Sequence, residues 1–224
     1  MKTAMPEIQN LAETILSVKQ IELIQSTLDN IKNNPKAYSI YEFNKLDESV
    51  GGVGGYCLPI NPIYNPFPHN FIREVFRPLQ YAYSDIFYGI INHSRFSVWM
   101  SGLHLESTVR IILKSKCFLG NLRYYNTTLG KAVFKLKQLN ILPDSTIQAL
   151  FAFIPVLNKA KHDINMDDSR ARLFLPSDAL FSYIIARILG LELISYFPPN
   201  MQVTKAPEWL IKYSQEVNLK ESYI

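Results

Sequence analysis

Residues 176–197 read PSDALFSYIIARILGLELISYF, and the apolar run within them, residues 179–197, has about the length that a membrane-spanning helix needs. Arg187 and Glu192 interrupt it, and a charged side chain costs about 2.5 to 3.5 kcal/mol at the centre of a bilayer. Pro176 favours a helix start, and Pro198 stops the helix after the last apolar residues. The run therefore predicts a buried helix and not a membrane span.

Helical periodicity extends over most of the remaining chain, with apolar residues at three- and four-residue steps. No alternating strand pattern bounded by hairpin turns occurs, and there is no internal repeat. The predicted helices cover residues 5–33, 79–116 (two helices that meet near 92–95), 128–140, 145–164 and 176–197, with a short terminal helix from Pro207. The sequence thus predicts an all-α protein, a helical bundle.

One segment breaks this pattern. Residues 51–70 read GGVGGYCLPINPIYNPFPHN, and their four glycines and four prolines exclude both a helix and a central strand. A phosphate-binding loop would need a following Gly-Lys-Ser/Thr and a preceding strand, and neither is present. We expect an irregular arm, with residues 1–77 forming an N-terminal helix and this arm, and residues 78–224 forming the helical bundle.

The composition describes a folded chain. Of 224 residues, 48% are hydrophobic and 19% are charged, which excludes the intrinsically disordered class. The two cysteines, Cys57 and Cys117, are too few for a disulfide framework. The N-terminal residues lack the apolar run and cleavage site of a secretory signal. We therefore expect a cytoplasmic protein.

Positive charge is concentrated in residues 110–161. This segment has nine basic residues and one acidic residue, Asp144, whereas the formal charge of the whole chain is only +4. Such a segment can attract a polyanion. It can equally be the solvated face of an amphipathic helix.

The helix predicted over residues 145–164 carries a stripe that changes from apolar to polar. At about 100° per residue, one face holds Ile147, Phe151, Ile154, Asn158, His162 and Asn165. We expect Asn158 and His162 to project from the buried-facing side, with His162 acting as a general base in a pocket. The alternative is that the two side chains only complete the core by bonding to neighbouring helix ends.

A second stripe contains Trp99, Leu103, Glu106, Arg110, Leu113 and Cys117. Glu106 and Arg110 are four residues apart, so they can form an ion pair along the helix. A buried pair of this kind can orient a polar site or fix a helix register.

Other chemistries lack a motif. The four histidines show no metal-binding spacing, and the acids Asp163, Asp167 and Asp168 lack the glycine and glutamate of a calcium loop. No Gly-x-Ser-x-Gly elbow is present, and neither cysteine lies in a nucleophile motif. We expect no metal and no cofactor.

Residues 104–193 resemble the HEPN superfamily, whose compact helical bundles carry a glutamate-bearing helix, a short basic helix and a helix ending in a polar-x-x-x-His motif. The resemblance depends on LESTVR (residues 105–110) and on LNKAKHD (residues 157–163). Asn158 and His162 match the polar position and the histidine. The family's motif has an arginine before the polar residue, and this chain has Leu157.

The resemblance implies a metal-independent endoribonuclease that acts as a homodimer on RNA, as a toxin or phage-defence component with an antitoxin as a further partner. His162, Asn158 and Lys161 would then be catalytic. The substrate-binding residues would be Lys159, Arg110, Glu106 and Arg170. Leu157 favours a different interpretation, a non-catalytic module of the same family that binds RNA, nucleotides or proteins. A third is a helical interaction protein unrelated to the family.

Overall fold

The computed structural model describes residues 5–33, 40–50, 70–116, 127–162 and 174–197, and they form seven α-helices without any strand among them. The helices are α1 (Pro6–Ile15), α2 (Val18–Asn33), α3 (Ile40–Ser49), α4 (Asn70–Lys116), α5 (Leu129–Gln138), α6 (Asp144–Lys161) and α7 (Pro176–Ile194). The prediction of an all-α helical bundle is confirmed. Cys117, Asn165, Arg170 and the expected helix from Pro207 lie outside the described residues.

Helix α7 lies at the centre of the bundle, as its apolar sequence predicts. Fifteen of its nineteen residues are buried. It packs most extensively against α4 and also contacts α1 and α2. Among the described helices, none combines the length and apolar character that crossing a membrane requires.

The charged residue in the middle of α7 is neutralised by a helix that the sequence did not predict. Asp47 of α3 is fully buried, and its carboxylate accepts hydrogen bonds from Arg187 Nε at 3.0 Å and from the Tyr183 hydroxyl at 2.6 Å. Phe43 of α3 packs against the Tyr183 ring. This contact joins α3 to the central helix.

The single helix predicted over residues 5–33 is in fact two. Ser17 and Gln20 form a capping box. The Ser17 hydroxyl accepts a hydrogen bond from the Gln20 backbone amide at 3.3 Å, and the Gln20 side-chain oxygen accepts one from the Ser17 backbone amide at 2.9 Å. This arrangement satisfies the first amides of α2 and favours a new helix start. Helix α1 packs on α6 and α7.

Helix α4 also differs from the prediction. It begins at Asn70, before the predicted start at residue 79, and continues through Pro78. Its non-helical residue is Gly89, whereas the break was predicted near residues 92–95. The boundary predicted between residues 77 and 78 therefore falls inside α4. Side chains on both sides of that boundary contribute to one buried cluster that includes all seven helices.

Candidate active site at the end of helix α6

Asn158 and His162 lie at the carboxyl end of α6, and both side chains are exposed. The prediction that they face the buried side was wrong. The buried residues of α6 are Thr146, Ile147, Leu150, Phe153, Val156, Leu157 and Ala160. Asn158 follows Leu157 directly and so points about 100° away from it around the helix. His162 is the residue that ends α6, and its amide donates to the Asn158 carbonyl at 2.9 Å.

Leu157, the residue before Asn158, belongs to the core. Its side chain is 1% exposed and lies against Gly102 of α4. A Cβ atom on Gly102 would come within 2.4 Å of Leu157 Cδ1, so the glycine allows the two helices to approach. An arginine at position 157 would place an unpaired guanidinium in this packed interface, at a high desolvation cost.

Glu106 is buried, and its carboxylate has partners on three helices, α4, α5 and α6. Its Oε1 lies 2.6 Å from Arg110 Nη2, so the ion pair predicted along α4 is present. Its Oε2 lies 2.7 Å from Lys161 Nζ of α6 and 3.2 Å from the backbone amide of Leu129. Because a carboxylate is stabilised at a helix amino terminus, Glu106 also stabilises the start of α5. Lys161 is thus held by a specific partner.

Arg110 extends this network towards α5. Its Nε donates to the Thr127 carbonyl, and the neighbouring Thr128 caps α5 by accepting from the Lys131 amide at 3.5 Å. The cluster of Glu106, Arg110 and Lys161 contains one carboxylate and two cations, so its net charge is +1. Arg110 and Lys161 keep 25% and 22% of their side chains exposed, so this charge is in contact with solvent.

Arg95 is a residue that the sequence analysis missed. It lies on α4, and its Nε donates to the Ala160 carbonyl at 3.0 Å. Ala160 is two residues before His162, so the contact brings a guanidinium to the same end of α6 and caps one of the last carbonyls of the helix. No sequence spacing relates Arg95 to a residue 65 positions away.

Lys159 points to a different part of the molecule. Its Nζ lies 2.6 Å from Glu7 Oε1 on α1. The hydrogen bond from Lys159, together with one from the Glu7 backbone, lowers the pKa of the Glu7 carboxyl below its ordinary value. Lys159 therefore joins α6 to α1, and the structure does not place it with Glu106 and Arg110.

The end of α6 thus combines an exposed imidazole and amide with the cations of Arg95, Lys161 and Arg110. An imidazole can act as a general acid or base, and the cations can oppose the charge of a phosphate. One copy of His162 cannot supply both an acid and a base at the same instant. A second copy of the chain would bring the second imidazole.

Comparison with known proteins gives no assignment: no family model, no curated protein and no solved structure matches this chain.

Proposed function

We propose that this protein is a metal-independent endoribonuclease of the HEPN type that works as a homodimer. The observation that supports it best is the exposure of both Asn158 and His162, one helical turn apart at the carboxyl end of α6. Exposed polar side chains at a helix end are available both to RNA and to a second copy of the chain.

The chemistry needs no metal. One His162 takes the proton of a ribose 2′-hydroxyl, and the resulting oxygen attacks the adjacent phosphorus. The bond from phosphorus to the 5′-oxygen breaks, and the partner's His162 gives a proton to that leaving oxygen. The products are a 2′,3′-cyclic phosphate and a 5′-hydroxyl. Asn158 orients the phosphate or the imidazole.

Arg95 takes the place of the missing motif arginine in this proposal. Its guanidinium reaches the end of α6 from α4, whereas position 157 is occupied by a core leucine. Lys161 contributes through the cluster that it forms with Glu106 and Arg110, which retains one positive charge. These cations would stabilise the charge that develops on the phosphorane oxygens.

Replacement of His162 tests the catalytic role. General acid–base catalysis contributes about 10² to 10⁴-fold, so His162→Ala and His162→Gln should reduce cleavage of single-stranded RNA by that factor. His93→Ala is the matched control, because His93 is another exposed histidine, at 49% of its side chain. Cleavage should persist in EDTA and leave a cyclic phosphate. Full activity of both His162 variants would refute the proposal.

The homodimer is tested separately by light scattering at working concentration. The shared cleft needs His162 from both copies, so an excess of His162→Ala chains mixed with wild-type chains should lower the activity per wild-type chain, because each mixed dimer has only one imidazole. A protein that stays monomeric while cleaving RNA would exclude the shared cleft.

The burial of Leu157 supports a second candidate function, a non-catalytic RNA-binding module with the same fold. In that case the wild-type protein should bind single-stranded RNA, with an affinity that falls steeply with salt, and leave it intact. The two candidates thus differ in one measurement, the appearance of cleavage products. A protein that neither binds nor cleaves RNA would favour the unrelated interaction protein.

A further inference from the structure

Helix α5 presents an exposed aromatic ring among lysines. Phe134 is 55% exposed, and Lys131 and Lys137 lie three residues before and after it, on the same side of the helix. Lys135 adds a third positive charge, and α5 contains no acidic residue. None of the three lysines forms an ion pair within the part of the chain that the structure describes.

This face is continuous with the end of α6 that carries Asn158 and His162. Lys137 Nζ lies 5.9 Å from the centre of the Phe151 ring on α6. Nearer the start of α5, a Cβ atom on Gly130 would lie 3.7 Å from Ile154 Cδ1. Phe151 and Ile154 are only half-buried, and they share an α6 face with Asn158 and His162. The eleven helical steps from Phe151 to His162 span about 16 Å.

We propose that this α5 face, consisting of Lys131, Phe134, Lys135 and Lys137, binds single-stranded RNA and leads it across Phe151 and Ile154 towards His162. A base stacks on Phe134 while the lysines neutralise phosphates, the combination that single-strand-binding proteins use. Duplex RNA fits poorly, because its bases are already stacked and cannot reach the ring. The RNA substrate rests on the proposed function, but the binding surface does not depend on cleavage.

Three lysines on a helix without carboxylates repel one another, so a polyanion is the partner whose charge complements them. The exposed Phe134 ring adds a second requirement for the partner, which must also have a flat group that can stack on the ring. A solvated lysine face gains nothing from a phenylalanine at its centre. An unstacked base, in contrast, can stack on the ring, which is worth about 5- to 150-fold in affinity.

The test measures binding separately from cleavage. The probe is a fluorescein-labelled 12-nucleotide 2′-O-methyl-uridine strand, which lacks the 2′-hydroxyl that cleavage requires, and the readout is fluorescence anisotropy with the full chain. Phe134→Ala should weaken binding about 5- to 150-fold. Tyr88→Ala, which removes another exposed ring (78%), should leave binding unchanged. Equal binding by wild type and Phe134→Ala would overturn the proposal.

The lysines are tested by the salt dependence. Removing one lysine–phosphate interaction should reduce the slope of log Kd against log salt by about 0.7, so the Lys131→Gln, Lys135→Gln, Lys137→Gln triple variant should reduce it by about 2. Lys19→Gln on α2, at an exposed lysine, is the control. An unchanged slope in the triple variant would also overturn the proposal, as would equal affinity for a 12-base-pair duplex. A deoxythymidine strand shows whether the surface distinguishes RNA from DNA.

These results are independent of the result for His162. If the His162 variants cleave normally but Phe134→Ala binds weakly, the proposed catalytic site is wrong and the binding surface stands. If the His162 variants are inactive and Phe134→Ala binds normally, the opposite holds.

Discussion

Two buried carboxylates, Asp47 and Glu106, are each paired with an arginine, yet their surroundings differ. Asp47 is fully buried, and Arg187, which pairs with it, is only 6% exposed. Glu106 is also buried, but Arg110 and Lys161 keep about a quarter of their side chains in water. The first cluster is enclosed by the bundle, whereas the second opens onto the surface that carries His162.

This difference separates a structural role from a positioning role. When one partner of a buried charge pair is removed, the other charge stays buried without a partner or water to stabilise it, so the substitution is costly. A pair at the surface is easier to break, because the remaining cations can be hydrated. The enclosed pair therefore determines whether the bundle folds, and the open cluster sets where Lys161 and the start of α5 lie.

The largest expected effect is at Asp47. Asp47→Asn keeps the shape of the side chain but removes the negative charge that faces Arg187, so we expect a loss of about 3 to 5 kcal/mol in the free energy of unfolding. Urea denaturation measures it, with Asp29→Asn on the exposed side of α2 as control. A loss below about 1 kcal/mol would show that the enclosed pair is not essential. In that case the comparison with Glu106 would fail.

The contrast also shows which pairs the sequence can predict. Glu106 and Arg110 are four residues apart on one helix, so spacing alone predicts their contact. Asp47 and Arg187 are 140 residues apart, and their contact depends on how α3 packs against α7. The sequence predicts that Arg187 lies within a buried helix, but it contains no signal for the residue that neutralises it.

Local signals explain the remaining errors. Ser17 and Gln20 had the spacing of a capping box, so the break between α1 and α2 was predictable. On α6, the spacing of Leu150, Phe153 and Leu157 also predicts an apolar face, and this is the face that is buried. The prediction used the neighbouring stripe through Asn158 and was therefore wrong. The approach of Arg95 to Ala160 depends on tertiary packing, which no local pattern contains.

A pH effect is expected near the enclosed cluster, at His104 of α4. The residue is 1% exposed, and its Nδ1 lies 2.7 Å from the Val75 carbonyl. Burial and the nearby charge of Arg187 lower the pKa of His104, whereas the hydrogen bond to Val75 raises it. The net result is a pKa of about 4, compared with the ordinary value of 6.5. The unfolded chain therefore takes up a proton near pH 6.5 that the folded chain takes up only near pH 4.

Stability should consequently fall as the pH drops through this interval. From pH 7.5 to pH 5 the loss attributable to His104 is about 2 kcal/mol. Urea denaturation at both pH values measures it, and His104→Asn, which keeps a donor near the position of Nδ1, should lose about 2 kcal/mol less over the same interval. His93→Gln, at an exposed histidine, is the control. An identical pH dependence in wild type and His104→Asn would contradict the prediction.

A smaller effect is expected at the open cluster. Glu106→Gln removes the charge that holds Arg110 and Lys161, but both cations can turn to water, so the free energy of unfolding should fall by about 1.5 kcal/mol. Glu13→Gln, at an exposed position of α1, is the control for the same chemical change. A loss as large as that of Asp47→Asn would mean that the two clusters do not differ in the way proposed.

The smallest effect on stability is expected where the largest effect on activity is proposed. Asn158 and His162 have exposed side chains, so Asn158→Ala and His162→Ala should each change the free energy of unfolding by less than about 0.5 kcal/mol. Their neighbour Leu157 is the matched contrast, because Leu157→Ala removes a core side chain and should cost about 2 to 5 kcal/mol. A cost above about 1 kcal/mol for Asn158→Ala or His162→Ala would show that the side chain has a structural partner. A loss of RNA cleavage in that variant would then no longer identify the residue as catalytic. Unchanged stability with abolished cleavage is the combination that a catalytic residue on a surface requires.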